Sequence, residues 1–111
     1  MISVTLRRNH KGHLYGFKVL DHGNTDVCAA VSLFTLNTVN SIESFTNEPF
    51  TCDYNPEGGF LEVVLPQIKE GCENQAVDLL LNVMELGLKA VKENYSDQIE
   101  IAFDQIVTSS N

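Results

Sequence analysis

The chain has 111 residues, 43% of them hydrophobic, which excludes a disordered polymer and gives one domain enough apolar surface for a core. It carries 15 acidic residues against 7 Lys and Arg, a net charge of −8. That charge excludes nucleic acid or an anionic membrane as a partner held by simple neutralisation, and it allows a basic protein or peptide.

Three Cys with no CxxC pair suggest neither a disulfide framework nor a zinc site and fit a reducing compartment. The opening MISVTLRRNHKGHLYGF lacks the apolar run of a secretory signal, and no stretch approaches the length of a membrane span. The expectation is a soluble cytoplasmic protein.

In chain order, Ile2–Arg7 alternates Ile2, Val4 and Leu6 with Ser3, Thr5 and Arg7, which predicts a half-buried strand. Asn9-His10-Lys11-Gly12 is a turn, and His13–Leu20 is a second strand in an antiparallel hairpin with the first. Asp21–Asp26 reads as a polar loop. Val27–Thr46 is then helical, because Val27, Val31, Phe34, Thr38, Ile42 and Phe45 recur at intervals of three and four. Thr25 or Asp26 is its expected N-cap. Glu43 is the only charged residue in that helix, so the helix is expected to be covered on more than one side.

Phe50, Cys52 and Tyr54 alternate with Thr51 and Asp53 as a third strand, the turn Asn55–Gly59 follows, and Phe60–Leu65 is a fourth strand closed by Pro66. Gln67–Gly71 reads as a loop. Glu73–Tyr95 is a second helix whose narrow polar stripe, Asp78, Asn82, Glu85, Lys89 and Lys92, implies burial over most of its circumference. Glu73 suits its start and Lys89 and Lys92 its end. Ile99, Ile101 and Phe103 alternate as a last strand, and Thr108–Asn111 is a loose tail. The order ββαββαβ predicts an α+β fold, a mostly antiparallel sheet packed with two long helices, in one domain spanning residues 1–111.

The stretch Asp21–Ser32, DHGNTDVCAAVS, gathers the residues that can carry chemistry. Cys28 falls in the first turn of the first helix, where free N–H groups and the dipole favour a thiolate and can hold an oxyanion. His22 precedes it by six residues, close enough for the loop to fold the imidazole back onto the thiol. Ser32 is one turn after Cys28 on the same face, and Asp26 is placed to cap the helix or orient His22. On the residues alone, a Cys at a helix start is more often a small buried side chain than a nucleophile.

The segment DVCAAVS, followed by an apolar helix containing TVNSIESF, resembles the ribosomal-processing cysteine protease family Prp, also called YsxB-like. The likeness runs over the whole chain, through the ββα opening, the Asn55–Gly59 turn, the GGF strand after it and the ENYSDQIEI ending. The resemblance implies a homodimeric cysteine endopeptidase that removes the N-terminal extension of a basic large-subunit ribosomal protein, cutting after an aromatic pair, without a cofactor or metal. It assigns His22 as the catalytic His and Cys28 as the nucleophile, with Asp26 and Ser32 in support. Where the family pattern reads Gly-His-Ala, this chain has Asp21-His22-Gly23, and its His–Cys interval is about half the usual one. A naturally short loop, a deliberate deletion and a stretch missing from the sequence all account for that interval.

Two readings compete with a peptidase: a non-catalytic module that binds a ribosomal protein or assists ribosome assembly with an inactive dyad, and a thiol redox sensor. Cys52, between Phe50 and Tyr54, reads as core. Cys72 lies between acidic neighbours that disfavour a thiolate, and His10 and His13 read as solvated turn residues.

Overall fold

The computed structural model describes residues 1–21 and 25–107, without the side chains of Thr25 and Asp26. The expected tail Thr108–Asn111 lies outside the described residues. The elements are β1 (Ile2–Arg8), β2 (Leu14–Asp21), α1 (Thr25–Phe45), β3 (Thr51–Tyr54), β4 (Phe60–Val64), α2 (Pro66–Lys69), α3 (Gln75–Asn94) and β5 (Ile99–Gln105). The five strands form one sheet in the order β3-β4-β2-β1-β5. All pairings are antiparallel except β1 with β5, so the fold is the expected α+β architecture.

Alternation decides which sheet face is buried. Ile2, Val4 and Leu6 on β1 stand beside Phe17 and Val19 on β2, Leu61 and Val63 on β4, and Ile99 on β5. These side chains join Val27, Val31 and Ile42 of α1 and Val77, Leu81, Met84 and Leu88 of α3 in one core. Removing an aliphatic or aromatic side chain of this size from water contributes about 2 kcal/mol. The opposite sheet face is polar, with Arg7 paired to Glu62 at 2.6 Å. Thr35 and Thr38 are buried in α1 because each hydroxyl donates to a carbonyl one turn back, Val31 at 2.8 Å and Phe34 at 2.7 Å.

Asn9 is fully buried and ties the first hairpin turn to α2. Its Nδ2 donates to the Ile68 carbonyl at 2.7 Å, and its Oδ1 accepts from the amides of Lys11 and His13. The loop expected over Gln67–Gly71 is therefore partly helical. Pro66 occupies the start of that short helix, where its fixed φ is already helical and its missing N–H costs nothing.

Both long helices start differently from expectation. Thr25 and Asp26 lie inside α1, so neither is its N-cap, and the preceding residue is outside the described region. The helix α3 begins at Gln75 rather than at Glu73, and its N-cap Asn74 accepts from the Val77 amide at 3.2 Å. The stripes also differ. Glu85, in the polar stripe of α3, is buried against Arg8 at 2.5 Å, with Lys89 on its other oxygen at 2.7 Å. Leu79, Val83 and Leu86 face outward, exposed by 65%, 56% and 71%. Apolar periodicity marks which residues avoid water but not whether this chain or another surface covers them. Phe34 of α1 packs where Gly87 of α3 leaves room, since a Cβ there would overlap its ring.

Replacing Glu85 by Ala removes the carboxylate partner of Arg8 and leaves its guanidinium, among the described residues, only the hydrogen bond to the Gly12 carbonyl, and the expected loss is about 1–3 kcal/mol. Lys89→Ala removes only an exposed arm and costs under about 0.5 kcal/mol. Urea unfolding of the two variants measures this, and equal losses contradict the ranking.

Candidate active site

Two elements converge on Cys28. The end of β2 is held by Ile2 on one side and, through the Asp21 amide, by the Gly59 carbonyl at 3.0 Å on the other. Gly58 and Gly59 both take positive φ, near 90°, in the turn that makes this second anchor. The helix α1 is fixed in rotation by Val27 and Val31, both inaccessible to solvent. Cys28, the next residue round the helix from Val27, is left half-buried at the edge of the core stripe.

Beside Cys28 runs a groove of about 420 Å³. One wall is α1, with Val31, Ser32, Leu36 and Val39, and the other is the β3–β4 hairpin, with Cys52, Tyr54, Phe60 and Leu61. The hairpin wall was not legible beforehand, because nothing local in Tyr54 or Phe60 says which helix they oppose. Asp21 is the only charged residue among the described residues that line the groove. A second cavity of about 280 Å³ lies by the start of α3, at the far end of β2, lined by His13, Cys72 and Asp78 among others. His13 there is partnered, with Nδ1 at 3.1 Å from Asp78.

The structure brings Ser32 to Cys28, Oγ to Sγ at 3.9 Å, as one helical turn requires. Asp26 is in the first turn of α1, its side chain outside the described residues, and His22 lies outside them altogether. The nearby Asp21 carboxylate, as acceptor and as charge, pushes the Cys28 thiol's pKa up and burial pushes the same way, while the Ser32 hydroxyl lowers it. The helix start predicted a depressed thiol. A carboxylate at the end of the neighbouring strand acts in the opposite direction. Burial, with the Asp53 charge, also raises the Cys52 thiol. Cys72 is exposed. Among the described residues no group of three or more His, Cys, Asp or Glu could hold a metal ion, and no helix is long and apolar enough to cross a membrane.

A thiol in the first turn of a helix, open to a peptide-sized apolar groove, has the layout of a cysteine hydrolase. The profile of the family described as cysteine protease Prp matches residues 1–100, and the chain belongs to that family of proteases. The ribosomal processing cysteine protease Prp of Bacillus subtilis is 24% identical over 107 residues, which cover 91% of this chain and 96% of that one. Its Staphylococcus aureus counterpart is 25% identical over 109 residues, 93% of this chain and 99% of that one. The Staphylococcus aureus protease, solved with a covalently linked product peptide, superposes with a TM-score of 0.84 at 25% identity, over 94% of this chain and all of that one. The chain is therefore similar to ribosomal processing proteases over nearly its whole length, in sequence and in fold.

Proposed function

We propose that this protease removes the N-terminal extension of a large-subunit ribosomal protein, with Cys28 as nucleophile and His22 as its general base. The observation that carries the reading is Cys28, half-buried in the first turn of α1 and open to the apolar groove. His22 takes the thiol proton as sulfur attacks the scissile carbonyl, and then gives it to the leaving amine as the C–N bond breaks. Free N–H groups at the start of α1 stabilise the oxyanion. Water, deprotonated by His22, releases the acyl group and restores the thiol. Asp26 orients the imidazole, and Ser32 supports the thiolate by donating its hydroxyl hydrogen.

Two features support the substrate class. The chain's net charge of −8 draws a basic arm, acting mainly on association. The groove offers Tyr54, Phe60 and Leu61 to an aromatic or aliphatic side chain. A ribosomal-protein substrate sets this work in the cytoplasm. Cys28→Ala should abolish cleavage of an N-terminal-extension peptide and leave the far-UV circular dichroism spectrum unchanged. Cleavage that survives Cys28→Ala, or is lost equally in Cys52→Ser and Cys72→Ser, contradicts the assignment.

The protease also works as a homodimer in this reading. Support comes from the apolar stripe Leu79, Val83 and Leu86, which nothing among the described residues covers, and from the charge-poor α1. Sedimentation at micromolar concentration should give twice 12.3 kDa. Val83→Glu and Leu86→Glu together should give the monomer mass. A wild-type monomer over that range contradicts the dimer.

A further inference from the structure

The five-stranded sheet ends on β3, and among the described residues no strand pairs with the outer side of β3. The register fixes where its backbone groups point. The Asn55 amide donates to the Phe60 carbonyl at 3.1 Å, and hydrogen-bonded pairs of an antiparallel ladder recur at every second residue. Asp53 opposite Glu62 and Thr51 opposite Val64 therefore bond to β4. Cys52 and Tyr54, opposite Val63 and Leu61, turn their N–H and C=O groups outward. The far side of β4 agrees. There the Gly59 carbonyl accepts from Asp21 and the Leu65 amide donates to the Tyr15 carbonyl at 2.8 Å, so Leu61 and Val63 bond to β2.

The same two residues belong to the groove. Leu61 and Val63 face the core, so Cys52 and Tyr54 beside them present their side chains on the helix side, where both line the groove. From Cys28 the groove crosses Val19 of β2 and Leu61 of β4 before it reaches β3. Thr51 and Asp53 alternate onto the opposite sheet face, and both are exposed. The other edge strand, β5, contributes no residue to the groove.

We propose that an extended stretch of the substrate adds to the sheet beside β3, held by the outward backbone groups of Cys52 and Tyr54. This rests on the reading that the groove takes a peptide with its scissile bond at Cys28. An open edge binds an extended chain through main-chain hydrogen bonds, and side-chain alternation sets the sequence it accepts. Substrate residues opposite Cys52 and Tyr54 turn into the apolar groove, and the residue between them stands beside Asp53. The pattern selected is apolar, basic, apolar. Neighbouring strands lie about 4.8 Å apart, so the added strand runs roughly 14 Å from β2, whose last residue shares the groove with Cys28. At about 3.3 Å per residue, about four residues separate the bound stretch from the scissile bond.

A second copy of β3 suits this edge poorly. Two antiparallel β3 strands that use all their outward groups set Cys52 against Tyr54 and Asp53 against Asp53. Like charges directly opposite are destabilising, whereas a basic substrate residue meets the same carboxylate favourably.

The test is the binding of a labelled N-terminal-extension peptide to Cys28→Ala protein, read by fluorescence anisotropy, with each peptide nitrogen methylated in turn. Methylation removes a donor and adds bulk on that side of the chain. At alternate positions of one stretch, about four residues from the scissile bond, Kd should rise about tenfold, while the positions between them stay within about twofold. Asp53→Lys should weaken a peptide with Lys between the two groove-facing residues and tighten one with Glu there, each by about threefold. In hydrogen exchange, the Cys52 and Tyr54 amides of the free protein should exchange faster than that of Asp53, and the peptide should slow them. Binding without a period-two methylation pattern overturns the proposal and leaves the substrate reading standing, and absence of binding overturns both. Protection of Cys52 and Tyr54 that grows with protein concentration, without peptide, means that a second copy holds the edge and also overturns it. The methylation scan needs no change in β3, so it decides even if Asp53→Lys folds poorly. No readout involves cleavage, so the outcome is separate from the assignment of Cys28 as nucleophile.

Discussion

The burial of Val27 and Val31 in the core beneath the sheet sets the site. Both side chains are sealed from solvent, and together they fix the rotation of α1 about its own axis. A residue one step on from Val27 turns by about 100° and comes out at the rim of the buried stripe. That residue is Cys28. The last helix-facing position of β2, Asp21, lines the same groove as Cys28. A thiol, a hydroxyl one turn on and a carboxylate from the strand are thus gathered by apolar packing and by the Asp21 amide's bond to the Gly59 carbonyl.

The groove owes its shape to the other end of the sheet. Gly58 and Gly59 let the β3–β4 turn close tightly and reach back to the Asp21 amide. The hairpin then stands opposite α1 and offers Tyr54, Phe60 and Leu61 to whatever lies along it. Its lining is apolar, while the chain as a whole carries a net charge of −8. The two properties act at different ranges. Surface charge attracts a basic chain over roughly a Debye length, and the groove selects side chains only on contact.

Much of the fold was legible because its signals are local. Period-two alternation located β1, β3 and β5, the turns beside them located β2 and β4, and three-and-four spacing located both long helices. The short helix at Pro66–Lys69 was not, since four residues hold too little of a helical period to register. The start of α1 was placed two residues late because polar first-turn residues add nothing to an apolar stripe, and that of α3 two residues early because Glu73 suits a helix dipole whether it lies just inside or just before the first turn. The narrow polar stripe of α3 suggested burial all round, yet Leu79, Val83 and Leu86 lie open and Glu85 is buried with Arg8. Cys28 and Ser32 were readable from their spacing. Asp21 stood out only as a departure from a pattern, and its place in the groove with Cys28 depends on a strand and a helix packing together. The groove's second wall comes from residues more than twenty positions further along the chain, which no local pattern connects to Cys28.

The claim at the centre of this account is that Cys28 attacks peptides seated in the groove between α1 and the β3–β4 hairpin. A peptidyl chloromethyl ketone ending in an aromatic residue tests it directly, because it alkylates a nucleophile only after its side chains have docked. Peptide mapping should find one adduct, on Cys28, formed faster than with the same warhead on a Gly-ended peptide. An adduct on Cys52 or Cys72 instead, or no preference for the aromatic peptide, would contradict it.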